Sequence, residues 1–326
     1  MKNEKDKEET ELRKNLLSGD WVIIAPTRSK IPKKNNLGCP FCNLKNQETP
    51  ILIYNNGKIV SDTKKWTTIV VPNKYPVFVP LMNEYSNKNK NYYRIKSPGS
   101  HELIITSDHN KKLYELGVKK IKEILDCYQS RIISLKKNKF VKYVFIFQNC
   151  GEKAGASQIH PHSQLITIPF IDKELTQIIS NSKNYFKKNN KCLHCEIIEK
   201  ELHERKRIIA ENKSFIAYIP FAPKFVYQVI ITPKKHNNLF EDISEEEKLD
   251  LAEIFKKILQ KYNKKLNSPD YNFYLHNSPA DNKNYNFFHW YFSLIPRLTY
   301  LAGFEIGANM EIITKYPEDQ AQFLRK

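Results

Sequence analysis

The second part of this chain repeats the layout of the first, and that repetition restricts the fold more than any single motif does. Each part opens with a C-x-x-C pair, Cys39-Pro40-Phe41-Cys42 in one and Cys192-Leu193-His194-Cys195 in the other. Each continues into an apolar strand that closes near a histidine. Leu103-Ile104-Ile105-Thr106-Ser107-Asp108-His109 corresponds to Val229-Ile230-Ile231-Thr232-Pro233-Lys234-Lys235-His236. A long amphipathic helix, an aromatic strand, an asparagine and a second histidine follow in both. His109 to His160 spans 51 positions and His236 to His289 spans 53; Asn149 precedes His160 by 11 and Asn277 precedes His289 by 12. Self-similarity on this scale means two supersecondary units of one design in tandem, and 326 residues is the length of two domains. The helical stretch 171–190 ends in Lys187-Lys188-Asn189-Asn190, a polar link, so the halves are expected at 1–190 and 191–326.

Periodicity assigns the elements. Ile121, Leu125, Tyr128, Ile132 and Leu135 recur at helical spacing and form a core-facing stripe. Cys127 lies inside that helix and reads as a small core residue. Ser244 with Glu247 forms a capping box, opening a helix whose apolar side holds Leu251, Phe255, Ile258, Leu259 and Tyr262. Strands are expected after the turn at Gly19, over Thr67 to Val71, His101 to Thr106, Val141 to Phe147 and Leu165 to Ile168. In the second half they are expected at Phe215–Ile219, Val226–Ile231, Tyr271–Leu275 and Ser293–Ile295. Residues 1–18 read as a charged lead-in with loose helix, and 83–100 as a polar, mobile loop.

The matched residues carry the chemistry. Aligning the halves groups Cys39, Cys42, His109 and His160 in one and Cys192, Cys195, His236 and His289 in the other. Two thiolates and two imidazoles are a closed tetrahedral set for zinc, structural because no coordination position stays open. The competing reading makes the cysteines buried thiols and the histidines satisfied core residues. In a zinc-bearing chain His160 is consumed, and His162, two residues on and on the same face of an extended strand, is left free. Its counterpart is Tyr291, a far poorer nucleophile at neutral pH. Chemistry is therefore expected in the first half only.

Asn149, Gly155-Ala156-Ser157 and His160-Pro161-His162-Ser163-Gln164 resemble the active-site signature of the galactose-1-phosphate uridylyltransferase family in the histidine-triad superfamily. The resemblance extends over most of the chain, through Gly19-Asp20-Trp21-Val22 with Arg28, Val71-Pro72-Asn73-Lys74-Tyr75-Pro76, Ser107-Asp108-His109 and Gly303-Phe304-Glu305-Ile306-Gly307, all in family order. It implies an α+β fold of two tandem histidine-triad-like halves, each an antiparallel sheet with packed helices. It also implies ping-pong nucleotidyl transfer. His162 attacks the α-phosphorus of a nucleotide sugar, hexose 1-phosphate leaves, and a second phosphate captures the nucleotide. Imidazole suits the role as nucleophile and leaving group near neutral pH. By the same resemblance Gln164 and Ser157 donate to phosphoryl oxygens, Arg28 contacts a phosphate, Asn73 meets the nucleotide, Asn149 positions phosphate or backbone, and Glu305 binds sugar hydroxyls. Turn formation at a strand end is the competing reading of Asn73 and Asn149.

The donor is expected to be UDP-glucose, with a hexose 1-phosphate as acceptor. ADP-glucose with phosphate as acceptor is the alternative, and a non-catalytic, zinc-stabilised nucleotide-binding protein a further one. The family is commonly dimeric, so a homodimer is expected. The net charge of +18 comes mostly from lysines spread along the chain without a nucleic-acid fold signature, so no nucleic-acid partner is expected. No apolar run is long enough to span a bilayer, and Met1 to Lys14 is unlike a secretory leader, so no membrane association and a cytoplasmic location are expected.

Overall fold

The computed structural model describes residues 10–31, 38–80, 86–89 and 92–326. The first half contributes strands β1 (Glu11–Lys14), β2 (Trp21–Ile24), β3 (Leu52–Asn55), β4 (Lys58–Ile59), β5 (Thr68–Pro72), β6 (Ser86–Asn89), β7 (Tyr92–Lys96), β8 (His101–Thr106), β9 (Tyr143–Cys150) and β10 (His162–Ile168). Helix α1 (Val118–Leu135) lies between β8 and β9, and α2 (Lys173–Asn189) follows β10. The second half holds α3 (Leu193–Glu204), β11 (Ile208–Glu211), β12 (Phe215–Tyr218), β13 (Val229–Pro233), α4 (Glu245–Lys265), β14 (Tyr271–His276), β15 (Tyr291–Pro296), α5 (Gly303–Ala308) and α6 (Pro317–Arg325).

The strand order displays the duplication. Among the described residues one eleven-stranded sheet runs β11-β12-β13-β15-β14-β9-β10-β8-β5-β3-β4. From its centre outwards, β9-β10-β8-β5-β3 on one side mirrors β14-β15-β13-β12-β11 on the other. Every pairing in it is antiparallel. The α+β class and the paired halves of the sequence reading hold, with one addition: the two sheets are continuous. β9 and β14 join them, with Asn149 opposite Asn272 and Phe273 opposite Gln148. Pairing the two central strands leaves no open edge at the junction.

The core lies mainly on one face of this sheet. Ile121, Leu125, Tyr128 and Ile132 of α1 are buried, as are Leu251, Phe255, Ile258, Leu259 and Tyr262 of α4, packed with Val70, Ile104, Leu165, Phe273 and Phe292. Cys127 is fully buried within that core. The capping box at Ser244 and Glu247 is formed, satisfying backbone N–H groups that α4 cannot pair internally. The opposite face carries smaller clusters, one of Phe41, Ile53, Ile69, Val71, Leu103 and Ile105. That face holds the functional site.

Two expectations change. The segment from Glu11 to Lys14, read as loose helix, is a strand paired with both β2 and β7; residues 1–9 of that lead-in lie outside the described residues. The segment read as a loop over 83–100 contains the β6–β7 hairpin among its described residues. Both belong to a second sheet ordered β2-β1-β7-β6. The β1–β7 pairing is non-local and Leu12 is fully buried, and a charged, weakly alternating sequence gives no sign of that packing.

Candidate active site

A turn and a strand end place the central histidine. β9 ends at Cys150, and Gly151 follows with φ +90°. A Cβ on Gly151 would lie 1.9 Å from the Asp270 carboxylate, so only glycine fits there. Asp270 Oδ2 accepts the Lys153 N–H at 2.7 Å. Asn272 Nδ2 donates to Asn149 Oδ1 at 2.8 Å and to the Ala154 carbonyl at 2.9 Å. The turn leading to Ser157 and His160 is thus held by residues of the other half. Asn149 contributes by fixing this turn, and it lines a different cavity, next to Asn272 and Arg297.

His160 and His162 then separate in role. His160 is buried; its Nδ1 faces Cys39 Sγ at 3.5 Å, Cys42 Sγ at 3.6 Å and His109 Nδ1 at 3.2 Å. Cys42 Sγ lies 3.0 Å from His109 Nδ1. A tetrahedral zinc ion, with Zn–S of about 2.3 Å and Zn–N of about 2.05 Å, sets sulfur about 3.5 Å and nitrogen about 3.3 Å from a second nitrogen ligand. The three distances from His160 match that spacing, and the Cys42 to His109 distance is shorter. The outer nitrogen of His160 reaches the Thr106 carbonyl at 2.7 Å, which fixes the tautomer and leaves the Nδ1 lone pair free to ligate a metal.

Cys192, Cys195, His236 and His289 form the second set. Cys195 Sγ lies 3.3 Å from His236 Nδ1 and 3.4 Å from His289 Nδ1, and His289 Nε2 reaches the Pro233 carbonyl at 3.1 Å. Thr106 ends β8 and Pro233 ends β13, so the supporting hydrogen bond is duplicated along with the ligands. Cys192 caps α3, a helix absent from the sequence reading. Both clusters can hold a metal ion, and their donors fit zinc.

His162 begins β10 and points into a cavity of about 240 Å³. Arg28, Asn73, Ser157 and Gln164 also line it, together with Lys74. Among the described residues around this cavity none is acidic. Two cations and several neutral donors suit an anionic ligand. His162 is 6% exposed and packs edge-on to Phe41, with ring centroids 4.8 Å apart. Its Nδ1–H donates to the His160 carbonyl at 2.9 Å. Nδ1 is therefore the protonated nitrogen and Nε2 carries the lone pair. Burial pushes the ring's pKa down to about 4, so it is neutral at physiological pH.

Tyr291, in the matching place of the second half, stacks on His276 with ring centroids 4.5 Å apart. Burial raises its pKa well above the usual value, so the phenolate that would be needed for attack is not formed. Glu305 does not line the His162 cavity; it accepts the Ala302 N–H and caps α5. Sequence reasoning also missed His101, which is 4% exposed and hydrogen-bonded to Gln164.

His276 gives a pH prediction. It is buried, without a hydrogen-bond partner among the described residues, and burial pushes its pKa down to about 4. The unfolded chain, with an ordinary histidine pKa near 6.5, binds this proton first as pH falls. The stability that comes from keeping the ring neutral is complete above pH 6.5 and is lost on acidification towards 4. Urea unfolding at pH 7.5 and 5.5 should show a smaller loss in His276→Phe than in wild type, by about 1 kcal/mol; equal losses would contradict it.

Residues 1–172 match the family model described as galactose-1-phosphate uridyl transferase, N-terminal domain, and residues 178–320 match its C-terminal domain. The chain belongs to the galactose-1-phosphate uridylyltransferase family. It is a hexose-1-phosphate nucleotidyltransferase by that membership. A family member from Thermotoga maritima, galactose-1-phosphate uridylyltransferase, is 31% identical over 97% of this chain and 98% of its own length. ADP-glucose phosphorylase of Arabidopsis thaliana is 30% identical over 97% of this chain and 92% of its own. The crystal structure of that Arabidopsis enzyme with bound ADP-glucose superimposes with a TM-score of 0.77 at 29% identity, covering 98% of this chain and 99% of that one. A solved uridylyltransferase gives 0.82 at 27% identity, covering 97% of each. Among the described residues of this family member no helix is long and apolar enough to cross a membrane.

Proposed function

We propose that the chain transfers the nucleotidyl group of a nucleotide sugar to a phosphate acceptor through a covalent intermediate on His162. The observation that carries this reading is the single hydrogen bond from His162 Nδ1 to the His160 carbonyl, 2.9 Å long. It commits Nε2 to the cavity as a neutral nucleophile. Nε2 attacks the α-phosphorus, the P–N bond forms, and the bond from phosphorus to the sugar phosphate breaks, releasing hexose 1-phosphate. Positive charge developing on the imidazole is stabilised at Nδ1–H by the carbonyl. In the return step an oxygen of the acceptor phosphate attacks the same phosphorus and the neutral ring leaves. Gln164 and Ser157 serve as donors to the phosphoryl oxygens. Arg28 offsets the phosphate charge, and Asn73 meets the nucleoside.

UDP-glucose and a hexose 1-phosphate are the first choice of substrates, in line with galactose metabolism. ADP-glucose with phosphate is the second, favoured by the likeness to the ADP-glucose-bound structure. Intact-mass measurement after incubation with each sugar separates them: a UMP adduct on wild-type chain supports the first and an AMP adduct the second. No adduct from either overturns the covalent reading.

Two zinc ions per chain complete this reading. They supply structure, since each set is closed with four protein ligands. The first half, to about residue 190, holds the nucleophile, and the second supports it. Tyr300, Phe304, Ile306, Ile312 and Tyr316 are exposed apolar side chains close in sequence, which supports a homodimer; Glu305, borne on the same segment, then serves a sugar across the interface. A cytoplasmic location without a nucleic-acid partner fits the dispersed lysine charge.

A further inference from the structure

Gln164 lines the cavity, yet an amide presents an acceptor at one end and a donor at the other, and the strand alone does not decide which end faces a ligand. His101, the first residue of β8, lies behind it. Its Nε2 is 3.0 Å from Gln164 Oε1. Its Nδ1 accepts the Val77 backbone N–H at 3.3 Å. A backbone N–H can only donate, so Nδ1 carries the lone pair and the neutral ring holds its proton on Nε2. That proton has one oxygen within reach, Gln164 Oε1. Asn73 Nδ2 sits 3.1 Å from the same ring nitrogen, while Asn73 Oδ1 is occupied by the Tyr75 N–H at 2.9 Å, so Asn73 cannot offer its oxygen instead. His101 is 4% exposed, and burial pushes its pKa down to about 4, so the single-proton form is the resident one.

We propose that His101 is a positioning residue: by donating Nε2–H to Gln164 Oε1 it fixes the Gln164 amide so that its NH₂ group faces His162 and the phosphoryl group. This rests on the nucleotidyl-transfer reading for its consequence, though not for its geometry. His101 does not line the cavity, and it acts only through Gln164.

The test is a double-mutant cycle read by single-turnover nucleotidylation of His162 from UDP-glucose and from ADP-glucose. His101→Ala should lower the rate on the order of ten- to hundredfold, with substrate affinity nearly unchanged. Adding it to Gln164→Ala should lower the rate no further. His101→Gln, which keeps an N–H donor, should recover most of the loss. Effects that multiply in the double variant, or a His101→Gln protein as slow as His101→Ala, overturn the proposal. A second arm needs no substrate: ¹⁵N spectra of the histidine rings should show His101 protonated at Nε2, and protonation at Nδ1 overturns it. If the wild-type chain takes up no nucleotide, the functional reading fails while the tautomer still decides this inference.

Discussion

Replacing His162 by alanine is expected to leave a folded, metal-loaded chain that takes up no nucleotide and turns over at least about ten-thousandfold more slowly, the scale seen when a covalent nucleophile is removed. The size of the effect follows from the site having no substitute. Among the described residues lining the cavity, His162 is the one imidazole. His160 is two residues away, but its Nδ1 faces the Cys39 and Cys42 sulfurs and its Nε2 the Thr106 carbonyl. Tyr291, the matched residue in the second half, is held neutral by burial. The measurement is intact mass after incubation with UDP-glucose or ADP-glucose, alongside steady-state rates and zinc content. An adduct that persists in His162→Ala at the wild-type level would move the nucleophile elsewhere.

Loss of the first metal set is the second large effect. Cys42→Ser is expected to release one of two zinc ions, lower the thermal midpoint on the order of 10 °C and cut nucleotidylation severely. The link is short: His160 supplies a ligand through its ring and holds His162 Nδ1–H through its carbonyl. Freeing the ring frees the peptide that orients the nucleophile, and sub-ångström placement matters to the reaction. Cys195→Ser at the second set should also release one zinc ion and lower the midpoint, because metal affinity contributes to folding. Its effect on nucleotidylation should be much smaller, since the residue two positions after His289 is Tyr291, held neutral by burial, and not a histidine. Elemental analysis and calorimetry on both variants check this. Equal losses of activity would show that the two sets matter to the site only through general stability.

Much of the site was legible because the halves can be compared. Cys39, Cys42, His109 and His160 sit at matched intervals to Cys192, Cys195, His236 and His289, and the structure brings each group within 4.8 Å. The same comparison leaves His162 unmatched by a histidine, and the structure points it into a cavity with Arg28, Asn73, Ser157 and Gln164. Asn149 and Glu305 do not line that cavity: Asn149 bonds Asn272 behind the turn, in keeping with a backbone-positioning role, and Glu305 accepts the Ala302 N–H at the start of α5. A strand-end asparagine looks the same in sequence whether it faces a ligand or a neighbouring strand. His101 gave no signal, because a lone histidine at a strand start acquires meaning only from what the fold sets behind it.

The sequence by itself determined the tandem design, the two helices with their apolar stripes, the two ligand sets and the asymmetry between His162 and Tyr291. All of these are written in local spacing, at period 3.6 or 2 or in the repeat itself, which survives without knowledge of the fold. Only the tertiary structure decided that the sheets fuse through β9 and β14, that the charged segment at Glu11 becomes a strand, and that Asp270 and Asn272 of one half hold the turn before His160 of the other. It also decided which nitrogen of His162 faces the cavity. These depend on backbone groups arriving from distant positions, and hydrogen-bond direction is set by the partner a group meets rather than by the residue that carries it.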